Sequence, residues 1–359
     1  MKSSILLCLL CLLLIGCKSN KLNNETATSF KKPKNIILLI ADGTGLSQIS
    51  SSQFYNDQPS NYEQFPVVGL IKTSASDKLI TDSAAGATAF ASGIKTYNGA
   101  VGVGPDTMFV PNIVEQISEN GFSTGVISTS SITHATPACF YAHVERRRSY
   151  EKIAEYLVNS EIDFFAGGGL EFFNKREDKQ NLLMALKSKG FTIDTTSLKP
   201  INASKQGFLL ADDAMPKMLE GRGDFLPNAT QLAVGQLSKN SKGFFLMVEG
   251  SQVDWGGHSN EGDYLISELI DFDDAMGVAL KFAEANGETL IIVTADHETG
   301  GFTLGADNGD YNKIKPTFST KGHSATMVPV FAKGPGAELF GGIYENTEIY
   351  HKMMELLSE

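Results

Sequence analysis

Six apolar residues in a row, Ile36 to Ala41, stop abruptly at Asp42-Gly43, and shorter apolar blocks of the same kind recur along the chain. An apolar run without alternation is a strand buried on both faces. Such strands, separated by helical segments, indicate an α/β fold: a large, mainly parallel sheet with helices on both faces. The pattern predicts strands over residues 36–41, 123–128, 164–166, 244–248, 289–294 and 328–332. Between them it predicts a helix of small residues from about Ser83, then helices near 110–119, 150–158, 180–189, 264–285 and 347–357. No internal repeat, low-complexity block or linker interrupts this alternation, so residues 35–359 read as one catalytic domain. The stretch 176–224 is the least periodic and reads as a surface elaboration.

Ahead of that domain lies a different kind of sequence. Lys2, the apolar run Ile5 to Gly16 and then Cys17, within Leu14-Ile15-Gly16-Cys17, have the layout of a bacterial lipoprotein export signal. Residues 1–16 are expected to be a signal peptide, Cys17 to carry a lipid that holds the protein to a membrane, and 17–34 to form a polar tether. The protein is then expected in the cell envelope, in the periplasm or as an outer-membrane lipoprotein. Of the four cysteines, Cys8 and Cys11 leave with the signal and Cys17 is lipidated, so Cys139 has no partner for a disulfide. The 41 acidic residues against 30 basic ones argue against a binder of duplex nucleic acid. They are compatible with carboxylates gathered around metal ions.

In open parallel sheets ligands sit beyond the carboxyl ends of the strands. Asp42 follows the first predicted strand; Glu249, Asp254 and His258 follow the strand at 244–248; Asp296 and His297 follow the one at 289–294. Singly, each has a structural explanation as a turn residue, a helix cap or a core histidine. Together, four carboxylates and two histidines at three strand ends repel one another unless cations neutralise them, and mixed oxygen and imidazole donors suit zinc and magnesium. The nucleophile candidate is Ser83, at the start of the small-residue helix in Thr81-Asp82-Ser83-Ala84-Ala85. Its hydroxyl and the free N–H groups of the first turn can receive an anion. Asp82 or Ser83 would serve equally as the helix cap, and the residues alone leave both roles open. One guanidinium of Arg146-Arg147-Arg148 can grip two phosphate oxygens; the others read as solvated charge.

The ordered set Asp42-Gly, Thr81-Asp82-Ser83-Ala84-Ala85, His134-Ala-Thr136-Pro-Ala, Ala142-His143, Glu249-Gly-x-x-x-Asp254, His258, Thr294-Ala-Asp296-His297 and His323-Ser-x-x-x-Val-Pro-Val resembles the alkaline phosphatases from Asn35 to about Lys333. The resemblance implies hydrolysis of small phosphate monoesters through a phosphoserine on Ser83, with broad specificity and an alkaline optimum. It implies two zinc ions, one on Asp254, His258 and His323 and the other on Asp42, Asp296 and His297. It further implies one magnesium on Asp42, Thr136 and Glu249, Arg147 as the phosphate clamp oriented by Asp82, and a possible homodimer. His143 is implied to stand behind the ligands or to be structural. His134 and Trp255 depart from the best-known bacterial pattern of aspartate and lysine and resemble cold-active marine members, which bears on how the third ion is held. The short interval from His297 to His323 implies that the crown-like insertion of some members is absent. Sequence-level alternatives are a phosphodiesterase or sulfatase on the same scaffold, or a non-catalytic lipoprotein that binds metal or phosphate.

Overall fold

The computed structural model describes residues 31–358. The expected signal peptide, the expected lipid site at Cys17 and most of the expected tether lie outside the described residues. In chain order the first half comprises β1 (Asn35–Ala41), α1 (Leu46–Tyr55), β2 (Val67–Lys72), α2 (Ser83–Ser92), α3 (Ile113–Ser118), β3 (Ser123–Ser131), α4 (Ala135–Ala138), α5 (Tyr150–Val158), β4 (Phe164–Gly168), α6 (Glu171–Asn174), α7 (Leu182–Ser188), β5 (Phe191–Asp194) and β6 (Lys205–Leu209). There follow α8 (Phe225–Leu237), β7 (Phe244–Gly250), α9 (Gln252–Ser259), α10 (Gly262–Asn286), β8 (Thr289–Thr294), β9 (Glu298–Thr299), β10 (Thr303–Asp307), β11 (Asp310–Thr317), β12 (His323–Ser324), β13 (Val328–Lys333), β14 (Gly342–Glu345) and α11 (Glu348–Leu357).

Ten strands form one sheet in the order β14-β2-β13-β8-β1-β7-β3-β4-β6-β5. The all-apolar β1 occupies the middle, parallel to β7 on one side and β8 on the other. Only β13 runs against its neighbours β8 and β2. Side chains of β1 alternate between the two faces. Ile37 and Leu39 join a core with Leu246, Val248, Ile291 and Val293 under α8 and α10, through residues such as Leu226, Val234, Leu269, Phe272 and Met276. Ile36, Leu38 and Ile40 are equally buried on the opposite face.

Two expectations change. The stretch 176–224 is not a surface elaboration: β5 and β6 extend the main sheet beyond β4, as Lys205↔Phe191 and Gln206↔Phe164 pairing records. Its polar and glycine residues at an edge mask the strand pattern. The strand predicted at 123–128 continues to Ser131, its polar end buried because the serines hydrogen-bond one another there. Among the described residues, no helix is long and apolar enough to cross a membrane.

Candidate metal centre and nucleophile

The carboxyl ends of β1, β7 and β8 deliver most of the site. Asp42 follows β1 directly, and Gly43 turns the chain with φ of +73°, close enough to α9 that an added Cβ would lie 2.7 Å from the Asp254 Cα. Only glycine meets both demands. Glu249 is the penultimate residue of β7, and α9 begins two residues after the strand, so Asp254 and His258 share one helix face as an i, i+4 pair. Asp296 and His297 follow β8. His323 arrives from far along the chain because β12 pairs antiparallel with β9, setting it opposite Thr299.

Three imidazoles converge with their Nε2 atoms inward. Nδ1 of His258 lies 2.6 Å from the Lys321 carbonyl, and Nδ1 of His323 lies 2.8 Å from that of Thr81. A carbonyl only accepts, so each Nδ1 carries a proton, and Nε2 is the nitrogen left to bind a metal. Those two Nε2 atoms are 3.1 Å apart, and Asp254 oxygens stand 3.4 Å from His258 and 3.7 Å from His323. His297, fully buried, has its Nε2 at 3.2 Å from Asp296, 3.6 Å from Asp42 and 3.3 Å from the Ser83 hydroxyl. Lone pairs and carboxylates facing one another at these distances repel unless a cation lies among them.

The buried oxygens agree. Both Asp42 oxygens, Asp296 Oδ2, Glu249 Oε1 and the Thr136 hydroxyl have no hydrogen-bond partner, and an orphaned buried carboxylate is costly. Burial pushes Asp42 well above the usual carboxylate range, with Asp296, Asp254 and Glu249 adding repulsion. Burial likewise takes Glu249 up to about 7 and, with the charge of Asp254, Asp296 up to about 6. His297 is held well below the ordinary imidazole value by burial, then by His323, Arg147 and His258. Such a donor set fits divalent cations: imidazole with carboxylate for zinc, oxygen alone at Asp42, Thr136 and Glu249 for magnesium. Among the described residues, two groups have ligand atoms close enough to share an ion: Asp254, His258 and His323, and Asp42, Asp254 and His297. Asp254 thus borders both clusters, where the resemblance implies Asp296 for the second; Asp296 flanks the same His297 nitrogen.

Ser83 opens α2 and is 2% exposed. The whole of α2 is buried, and Gly86 brings it against the β8 loop, where an added Cβ would sit 3.0 Å from the Asp296 Cβ. Asp82, not Ser83, is the side chain that caps the helix, which leaves the Ser83 hydroxyl free. Asp82 Oδ1 caps the helix at Ala85 N, 3.0 Å, and accepts from Gly99 N, 3.1 Å, while its Oδ2 takes Arg147 Nη1 at 2.9 Å. Arg147 is therefore the one of the three arginines tied to the N-terminus of α2, beside Ser83; Arg146 and Arg148 are exposed. A cleft of about 740 Å³ opens here, lined in part by Asp82, Tyr97, Asn98 and Arg147.

Behind the third candidate site, Ser128 donates to Glu249 Oε2 at 2.5 Å and lies 2.8 Å from the Ser251 hydroxyl. His134 precedes α4 at its N-cap position, without a side-chain cap bond, and its ring lies 5.8 Å from that of Trp255, edge-on to it. Burial, then the charge of Arg147, holds His134 down to about 3, so it stands neutral. His143 touches none of these residues; it hydrogen-bonds Gly102 O at 2.6 Å and Glu115 Oε1 at 3.0 Å and packs on Phe109. Of the two roles expected for it, these contacts fit the structural one. The sequence reading missed Ser128, Ser251 and the carbonyls of Thr81 and Lys321, because main-chain acceptors and scattered hydroxyls carry no motif.

Residues 33–315 match the family model described as alkaline phosphatase. The chain is 33% identical to alkaline phosphatase 3 of Bacillus subtilis over 90% of this chain and 89% of that protein. Among solved structures, the alkaline phosphatase from the Antarctic bacterium TAB5 is 57% identical, with a TM-score of 0.90 over 91% of this chain and 98% of that one. A variant of the TAB5 protein with a histidine changed to aspartate, equally similar at 57% identity and a TM-score of 0.90 over 91% of this chain and 99% of that one, carries Mg in its M3 site.

Proposed function

Since the chain belongs to the alkaline phosphatase family, whose chemistry is the hydrolysis of phosphate monoesters, we propose that it works through a phosphoserine on Ser83 over two zinc ions and one magnesium. Asp254, His258 and His323 would hold one zinc, Asp42, Asp296 and His297 the second, and Asp42, Thr136 and Glu249 the magnesium. When bound, these ions supply Lewis-acid polarisation of the phosphoryl oxygens and lower the proton affinity of oxygen nucleophiles.

The chain's own residues do the positioning. The Ser83 oxygen forms a bond to phosphorus in line with the ester oxygen, whose bond to phosphorus breaks as the alcohol departs; water then cleaves the phosphoserine to free phosphate. Arg147, fixed by Asp82 at 2.9 Å, grips two non-bridging oxygens through its planar fork. The N-terminus of α2 adds its positive end beneath the same group. Contacts to the alcohol are few in this arrangement, which favours broad specificity, and easier deprotonation of the nucleophile favours an alkaline optimum.

The observation that carries this reading is the Ser83 hydroxyl at 3.3 Å from the inward Nε2 of His297, beside buried carboxylate oxygens without partners. The deciding experiment is acid-quench trapping of radiolabelled phosphate on the protein together with Ser83→Ala turnover of p-nitrophenyl phosphate. Label on Ser83, and loss of turnover with zinc content unchanged, are expected. Near-full turnover by Ser83→Ala overturns the assignment, and faster turnover of a diester or sulfate ester overturns the substrate class. Export, lipid attachment at Cys17 and assembly as a homodimer belong to the same proposal. Retention of Cys17→Ala in the membrane fraction would refute the anchor, and sedimentation as a monomer would refute the dimer.

A further inference from the structure

Thr299 has no place in the ligand sets above, yet every segment that bears a zinc ligand in them contacts it or is bonded to one that does. It is fully buried. Its N–H donates to Gly43 O at 2.9 Å, next to Asp42; its backbone pairs with His323; its methyl lies against Gly257, whose notional Cβ would be 3.0 Å from Thr299 Cγ2. The hydroxyl is the more informative part. It donates to Asp254 Oδ1 at 2.5 Å and lies 3.2 Å from His297 Nδ1. A hydroxyl has one proton, and Asp254 takes it. His297 must therefore donate Nδ1–H to the Thr299 oxygen, which leaves Nε2 bare and aimed at Ser83, Asp42 and Asp296.

We propose that Thr299 is the positioning residue that links the two zinc groups, its single hydroxyl orienting the Asp254 carboxylate of one and fixing the His297 tautomer of the other. This rests on the two-zinc reading above. Partners of this kind, one bond removed from the metal, set ligand orientation and basicity.

The test compares Thr299→Ser with Thr299→Ala. Both lose the methyl, so any difference between them belongs to the hydroxyl. Zinc dissociation constants are read without substrate, by competition with a chromophoric chelator, and the cobalt-loaded proteins are compared by visible absorption. Thr299→Ser is expected to bind zinc within about threefold of wild type. Thr299→Ala is expected to bind about 10- to 100-fold more weakly, with altered cobalt bands from both sites. Equal zinc constants for the two variants overturn the linking role, as does weakening confined to one zinc. Wild-type protein that binds no zinc at all instead overturns the two-zinc reading, so the two failures are told apart.

Discussion

Asp82 couples two functions that substitution can separate. Asparagine is as good a helix cap as aspartate, so Asp82→Asn keeps the bonds from Ala85 N and Gly99 N but confronts Arg147 with an amide instead of a charge. With the guanidinium no longer held, the inhibition constant for inorganic phosphate should rise by about tenfold, and the thermal midpoint should fall modestly, since a charge-assisted hydrogen bond is worth about 1.5–3 kcal/mol and this one is partly exposed. Asp82→Ala should show the same loss of phosphate affinity and in addition lose about 1 kcal/mol of stability with the cap. Equal phosphate inhibition of wild type and Asp82→Asn would show that Arg147 is held by something else.

At the scale of elements, α2 is set against the β8 loop by the absence of a side chain. Gly86→Ala improves helix propensity by about 1 kcal/mol, but its Cβ would press on the Asp296 Cβ at 3.0 Å. Relieving that contact takes a few tenths of an ångström, a fraction of the ~1 Å misplacement that costs about 100-fold, so we expect kcat/KM to fall by about 3- to 10-fold at nearly unchanged urea midpoint. A second element-scale contact lies remote from the site. The Arg222 side chain is buried between Glu268, 2.5 Å, and Asp271, 2.7 Å, and fastens the segment before α8 to α10. Arg222→Ala would leave two carboxylates buried without their cation, a loss of about 3–5 kcal/mol measurable by urea unfolding. The tripeptide Arg222-Gly223-Asp224, which in sequence resembles an adhesion motif, is thus partly interior.

For the whole molecule, the site is a cluster of charge placed at the end of an apolar sheet, and its cost appears when metal is removed. Burial, chiefly, raises Asp296 to about 6 and Glu249 to about 7, with Asp42 raised as well. Without metal, the folded protein therefore holds protons that the unfolded chain, with carboxyl pKa values of about 4, has released. That stabilisation is fully present below the unfolded value and is lost as pH rises through about 6 to 7. Chelator-treated protein should accordingly have a higher urea midpoint at pH 5 than at pH 7.5, and zinc added at pH 7.5 should restore it by binding the folded form. A midpoint that rises with pH in the chelated protein would mean that these carboxyls are not the buried, mutually repelling set.

The apolar runs determined much of this by themselves, because burial on both faces of a parallel strand leaves no polar alternation to misread. They located β1, β7 and β8 and hence the Asp42, Glu249, Asp254, His258, Asp296 and His297 that follow them. What the sequence could not decide were contacts between segments far apart in the chain. Whether Asp82 or Ser83 caps α2 was undecidable until the fold showed the Asp82 carboxylate accepting from Ala85 N. The short edge strand β5 and its neighbour β6 were hidden because this end of the sheet tolerates polar and glycine residues. The tautomers of His258, His297 and His323 depend on a carbonyl of Lys321, a hydroxyl of Thr299 and a carbonyl of Thr81, groups that every chain has and no motif records. Tertiary structure alone selects which of them a ring nitrogen meets, and so which nitrogen is left to face a metal.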